Sequence, residues 1–203
     1  MKQQSYHRSV FFKPWIGKNY KSGGILKIRT LVLGESHYGG LVDNRFDFTQ
    51  FVVEKWGIKQ RNRFFTSLAK TIIPTADYGW LPDSEREELY ESIAFYNYIQ
   101  KLVGDRPRQR PSELMWKEAI IPFQSVIDSL NPQVVIVLGK ELWWYVIQGL
   151  DVKKTSDDGR FALVNLQCGS AIVLGNVSHP SSFGYSFKKE QIVVHELLNK
   201  VNN

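Results

Sequence analysis

The stretch L-V-L-G-E-S-H-Y-G-G, residues 31–40, decides the predicted fold. Its first half is aliphatic, and a short apolar run that ends in glycine is typical of a buried strand leading into a loop. The loop then presents the polar side chains of Glu35, Ser36, His37 and Tyr38. In open α/β sheets, ligands bind beyond the carboxyl ends of the strands, so these side chains are candidates for chemistry. A solvent-facing turn would also be polar, and the stretch alone leaves that alternative open.

Three further apolar runs match this first strand and alternate with helical patterns. The four core strands are predicted at residues 28–33, 92–99, 133–138 and 171–177, with another strand at 161–166. Helices are predicted at residues 61–73, 112–130 with a kink at Pro122, 141–148 and 187–201. Alternation of this kind predicts a single α/β domain over residues 1–203, built as three α/β/α layers around a central, mainly parallel four-stranded sheet. Residues 1–26 are predicted to form a basic, irregular N-terminal extension.

The composition limits the class of protein. Hydrophobic residues make up 43% of the chain and charged residues 23%, as in ordinary globular proteins. No apolar run approaches the length of a membrane span, and no signal peptide is apparent. The lone cysteine, Cys168, excludes a disulfide framework and an all-cysteine metal or iron–sulfur site. We therefore expect a cytoplasmic monomer without membrane contact, metal or cofactor.

The net charge of +6 is unevenly distributed. Seven lysines and arginines, and no acidic residue, precede the loop at Glu35. A second basic cluster contains Arg106, Arg108 and Arg110. Such clusters favour a polyanionic partner, although a solvated lysine-rich surface would have the same composition.

Taken together, four segments resemble the uracil-DNA glycosylase superfamily. These are the strand ending in G-E-S-H-Y-G, the strand with Asn97, the strand V-V-I-V-L-G, and the loop S-H-P-S-S-F-G that begins at residue 178. The middle of the chain is most similar to the thermostable-type bacterial and archaeal members. The likeness covers roughly residues 28–200, and it implies the glycosylase fold and hydrolysis of the N-glycosidic bond of uracil or a related damaged base in DNA.

The resemblance also implies roles for individual residues. His179 would bind uracil O2 and stabilise the departing base, while Glu35 and Ser36 would act on the water or the sugar cation. The implied base-binding residues are Asn97 and Phe48, with Phe46 as the alternative to Phe48. Tyr38 of the first loop is also predicted to contact the base. The implied DNA contacts are Arg106, Arg108, Arg110, Ser181 and the apolar wedge Phe183.

The chain also differs from the family pattern. Ser36 replaces the usual aspartate or asparagine, and the four iron–sulfur cysteines of the thermostable type are missing. An alternative is therefore a glycosylase-fold protein that binds nucleic acid or a nucleotide without cleaving it. A serine hydrolase is a weaker alternative, because Tyr38 stands where the G-x-S-x-G elbow requires its second glycine.

Overall fold

The computed structural model describes residues 6–73, 80–106, 109–167 and 169–201. Its strands are β1 (Trp15–Ile16), β2 (Thr30–Gly34), β3 (Ala94–Asn97), β4 (Val134–Leu138), β5 (Val152–Thr155), β6 (Phe161–Asn165) and β7 (Ala171–Val177). Its α-helices are α1 (Phe48–Val52), α2 (Arg63–Ile72), α3 (Asp83–Tyr90), α4 (Glu113–Glu118), α5 (Ile120–Leu130), α6 (Lys140–Gln148) and α7 (Phe187–Asn199). A π-helical segment, Val53–Lys59, follows α1 directly.

All seven strands form one sheet in the order β1-β3-β2-β4-β7-β6-β5. Strands β3, β2, β4 and β7 pair in parallel, whereas β1, β6 and β5 are added antiparallel at the two edges. The predicted α/β class is confirmed, and the sheet is wider than the predicted four-stranded one because further strands extend it at both edges. Strand β1 has only two residues, and β5 (V-K-K-T) is mostly exposed, so neither has the apolar pattern of a core strand.

Alternate residues of the central strands face two separate hydrophobic clusters. Leu31 and Leu33 of β2 join a cluster with α4, α5 and α6, whereas Val32 joins a cluster with α2, α3 and α7. The β-strand period of two explains this division. Helices therefore cover both faces of the sheet.

The helix predicted over residues 112–130 is in fact two helices. Helix α4 is capped by Ser112, whose side chain accepts from Met115 N–H, and it ends before Ala119. Pro122 lies in the first turn of α5, where its missing N–H breaks no intrahelical bond. The proline is thus tolerated near the start of a new helix and does not kink a long one.

The basic N-terminal segment is part of the fold. Val10, Phe12 and Tyr20 are buried. Trp15 and Ile16 pair with β3. The described part of residues 1–26 is therefore packed against the domain.

A buried arginine holds the π-helical segment. The Arg86 guanidinium of α3 donates to the carbonyls of Gly57 at 2.5 Å, Ile58 at 2.8 Å and Gln60 at 3.2 Å. It also pairs with Asp83 at 3.0 Å. The last carbonyls of a helix have no intrahelical donor, so Arg86 supplies the hydrogen bonds that this end of the segment lacks.

Candidate active site

The loops that resemble glycosylase motifs emerge at one edge of the sheet. Gly34, at the end of β2, is in register with Asn97 at the end of β3, and Leu138 is in register with Val177. The four adjacent parallel strands therefore end at the same level, and the segments that follow them begin side by side. This arrangement places Glu35, Asn97 and His179 along one edge, although they are far apart in sequence.

Glu35 forms an ion pair at this edge. Arg110 Nη2 lies 2.9 Å from Glu35 Oε2 and also contacts the Glu141 carboxylate of α6. The Glu35 side chain is only 14% exposed, whereas Arg110 is 49% exposed. Burial raises the pKa of Glu35, and the Arg110 guanidinium opposes that increase. Glu35 is thus a partly desolvated carboxylate held by one accessible cation.

Ser36 is next to this carboxylate. The Ser36 hydroxyl is close enough to Glu35 to help lower its pKa. Its Oγ is nevertheless buried and makes no hydrogen bond of good geometry with the described residues. Such a buried polar atom is rare, and it offers a hydrogen bond to a bound water or ligand.

His179 is fixed by the turn that follows β7. Its Nδ1 accepts the Ser181 N–H at 3.2 Å, and its carbonyl accepts from the N–H and the hydroxyl of Ser182 at 2.8 and 2.7 Å. Its ring lies against Phe64, with 5.3 Å between centroids. Burial, together with the nearby Arg110 charge, lowers the pKa of His179. The ring is therefore neutral at pH 7, and its accepting Nδ1 leaves Nε2–H as the ring donor.

Asn97 lies against the backbone of β2. A Cβ atom added to Gly34 would stand 2.2 Å from Asn97 Oδ1, so only glycine fits beside the amide. Asn97 is buried, and its side chain packs against the β2 backbone at Gly34. The position of the amide is thus set by this packing.

We expect Gly34→Ala to displace the Asn97 amide and to lower the free energy of unfolding by about 1–3 kcal/mol, because an added methyl overpacks this site. The double variant Gly34→Ala/Asn97→Ala should recover most of the loss. Urea denaturation of the four proteins of this cycle measures the coupling. Additive effects of the two substitutions would contradict the proposed close packing.

Two other predicted site residues, Tyr38 and Phe48, lie in different parts of the structure. The Tyr38 hydroxyl donates to the Gln109 carbonyl at 3.2 Å, which places Tyr38 beside the arginine-containing loop. Phe48 is only 6% exposed and packs against His37 and Phe12. The structure therefore gives Phe48 a place in the core and does not present it to the candidate site.

The predicted DNA contacts are exposed. Phe183 is fully exposed in the loop after His179, and Ser181 is exposed beside it. Arg106 is exposed and lies 3.9 Å from the Asp105 carboxylate. Arg108 lies outside the described residues.

Two residues of this site were not predicted. Glu141 shares Arg110 with Glu35, and Phe64 packs on His179. Glu141 follows the strand ending at Leu138, so the edge rule could have identified it. Phe64 follows Asn62, whose side chain caps α2, but nothing in the sequence places that helix beside the residue 179 loop.

Neither a protein-family model nor a curated protein matches the sequence. Within the described ranges, no cluster of three or more His, Cys, Asp or Glu side chains could hold a metal ion. Nor does the described part of the chain contain a helix long and apolar enough to cross a membrane.

Proposed function

We propose that the protein is a DNA glycosylase-like hydrolase that removes uracil or a related damaged base from DNA. The single observation that supports this most strongly is the alignment of Glu35, Asn97 and His179 at one edge of four parallel strands. These are the residues that the superfamily resemblance selects. A carboxylate, an amide and a neutral imidazole are also the groups that base removal requires.

The reaction separates charge, and the site offers a group for each sign. As the bond between sugar C1′ and the base nitrogen breaks, its electron pair goes to the base and positive charge develops on the sugar. The His179 Nε2–H would donate to the base oxygen, as in an oxyanion hole. The Glu35 carboxylate would stabilise the sugar cation and accept a proton from the water that attacks C1′. The unpartnered Ser36 hydroxyl would bind that water.

Access to the base requires flipping it out of the duplex, at a cost of a few kcal/mol. The exposed ring of Phe183 would fill the gap left by the base. Arg106 and Arg110 would contact phosphates, with Arg110 keeping Glu35 as a partner while its remaining N–H groups reach the DNA backbone. Asn97 would read the edge of the flipped base, with Tyr38 lining the entrance.

Arg110 should control the acidic limb of the pH–rate profile. If the ionised Glu35 is the active form, the rate falls as pH drops through its raised pKa. Arg110→Gln removes the charge that lowers this pKa, so the fall should move to higher pH. Single-turnover rates of uracil release at saturating protein measure the shift, with Arg106→Gln as a matched control that leaves the limb in place. An unmoved limb in Arg110→Gln would contradict the role of Glu35.

Binding without cleavage is the second candidate function. It is favoured by Ser36 at the position where glycosylases of this type carry aspartate or asparagine, and by the Arg110 side chain that bridges Glu35 and Glu141. In that case the same edge would bind nucleic acid or a nucleotide with its carboxylate neutralised.

A uracil-excision assay separates the two functions. Single- and double-stranded oligonucleotides with one uracil are incubated with excess protein, and abasic product is detected by mass spectrometry. Abasic product that is lost in Glu35→Gln supports the enzyme. Tight, salt-sensitive binding without abasic product supports the binding protein instead.

A further inference from the structure

A cavity lies beside the candidate active site and does not include its residues. Its volume is about 990 Å³, and neither Glu35, Asn97 nor His179 lines it. This volume is at the upper end of the range for small-molecule sites, which is roughly 300–1,000 Å³. The cavity is large enough for a ligand of nucleotide size.

The cavity continues from the same two loops that form the candidate site. Gly39 N–H donates to Gly104 O at 2.9 Å, and Val103 N–H donates to His37 O at 3.0 Å. These bonds tie the loop after β2 to the loop after β3. Residues just beyond them, among them Gly40 and Lys101, line the cavity.

The wall combines apolar groups with two cations, Arg8 and Lys101, and two carboxylates, Asp105 and Glu118. Phe11, Leu41, Met115 and Ile121 supply apolar surface, and the Phe11 ring is held edge-on against Phe12 at 4.9 Å. Arg8 is exposed at the cavity and forms no ion pair with the described residues. Lys101 is paired with the lining carboxylate of Glu118 at 2.5 Å, and the lining carboxylate of Asp105 lies 3.9 Å from Arg106. An aromatic body with one anionic group would therefore match this wall.

We propose that this cavity is a nucleotide-binding site in which the base lies on the apolar wall and the phosphate binds Arg8. The nucleotide is either free or part of a DNA strand, since both present the same base and phosphate. The proposal concerns binding alone, so it holds whether or not the neighbouring edge cleaves DNA.

Gly40 provides a direct way to block the cavity. A Cβ atom at Gly40 would have no neighbour within 4 Å, and its backbone is extended (φ −89°, ψ −174°), which any residue adopts. Gly40→Trp should therefore fill the cavity without disturbing the fold. Leu163→Phe, on an exposed position of β6, is the matched control for added bulk. Lys21→Gln is the control for a lost surface charge.

Calorimetric titration of the full chain with deoxyadenosine monophosphate, deoxyadenosine and a 12-nucleotide single strand tests the proposal. We expect Gly40→Trp and Arg8→Gln each to weaken monophosphate binding about tenfold, because the indole occupies the space of the base and the loss of Arg8 removes the cation that binds the phosphate. Deoxyadenosine should bind more weakly than the monophosphate and be insensitive to Arg8→Gln. Thermal unfolding of each variant verifies that it is folded.

The strand distinguishes the two sources of the nucleotide. If Gly40→Trp weakens binding of the 12-nucleotide DNA strand, the site takes a nucleotide of DNA. If it weakens binding of the monophosphate alone, the site takes the free nucleotide. Unchanged binding of both ligands in Gly40→Trp, no binding of either ligand to the unmodified protein, or equal affinity for nucleoside and nucleotide, would overturn the proposal. None of these titrations requires base excision, so a protein inactive on uracil gives the same result.

Discussion

His179→Ala is expected to lower the single-turnover rate of uracil release by about 10²–10³-fold, the usual effect of removing one oxyanion donor. The turn formed by Ser181 and Ser182 holds the imidazole, and burial together with Arg110 keeps it neutral. Alanine removes the Nε2–H donor and preserves the backbone bonds of the turn. Rapid-quench measurement of abasic product quantifies the loss.

His195→Ala is the matched control for this prediction. His195 is exposed on α7, where its ring contacts Asn199, and it lies outside the candidate site. Its substitution should leave the rate unchanged. Equal rates for His179→Ala and the unmodified protein would exclude His179 from catalysis.

Arg86→Leu is expected to lower the free energy of unfolding by about 3–5 kcal/mol. The substitution leaves up to three carbonyls of the π-helical segment without their donor, and each unsatisfied buried group costs about 1–3 kcal/mol. Since α2 follows this segment and presents Phe64 to His179, the loss of order should reach the candidate site. Guanidinium denaturation, followed by tryptophan fluorescence and by circular dichroism, measures the change.

Lys59→Ala is the control substitution at the surface of the π-helical segment. Lys59 forms an ion pair with Glu54 at 2.5 Å, but both side chains are largely exposed. Exposed pairs contribute about 0–1 kcal/mol, so this substitution should have little effect. Similar losses in Lys59→Ala and Arg86→Leu would show that Arg86 has no special structural role.

The sequence predicted the central part of the sheet well because those strands are continuous apolar runs. The run V-V-I-V-L became β4, fully buried, and the aliphatic run before Glu35 became β2. The edges were harder to predict, since β1 is two residues long and β5 has no apolar alternation. A strand at a sheet edge needs no buried face, so hydrophobic periodicity does not reveal it.

The position of the candidate site was predictable from the sequence, but the ion pairs within it were not. Strand ends predicted that Glu35 and His179 would share an edge, because carboxyl ends of parallel strands lie together. The contact of Arg110 with both Glu35 and Glu141 depends on how a proline-rich loop crosses that edge. Phe48 differs from these residues, since its position in the family motif favoured the site, whereas its packing with His37 places it in the core.

The central claim is that Asn97 and His179 contact the same base. A uracil oligonucleotide with a 2′-fluorine on the target sugar resists cleavage, because the fluorine disfavours the sugar cation, and it therefore allows binding to be observed. Nuclear magnetic resonance of ¹⁵N-labelled protein follows the Asn97 side-chain amide and the His179 imidazole during titration with this DNA. We predict that both signals shift with one common saturation curve and that undamaged DNA of the same sequence leaves them in place. Binding of the uracil strand that shifts neither signal, or only one of them, would contradict the claim.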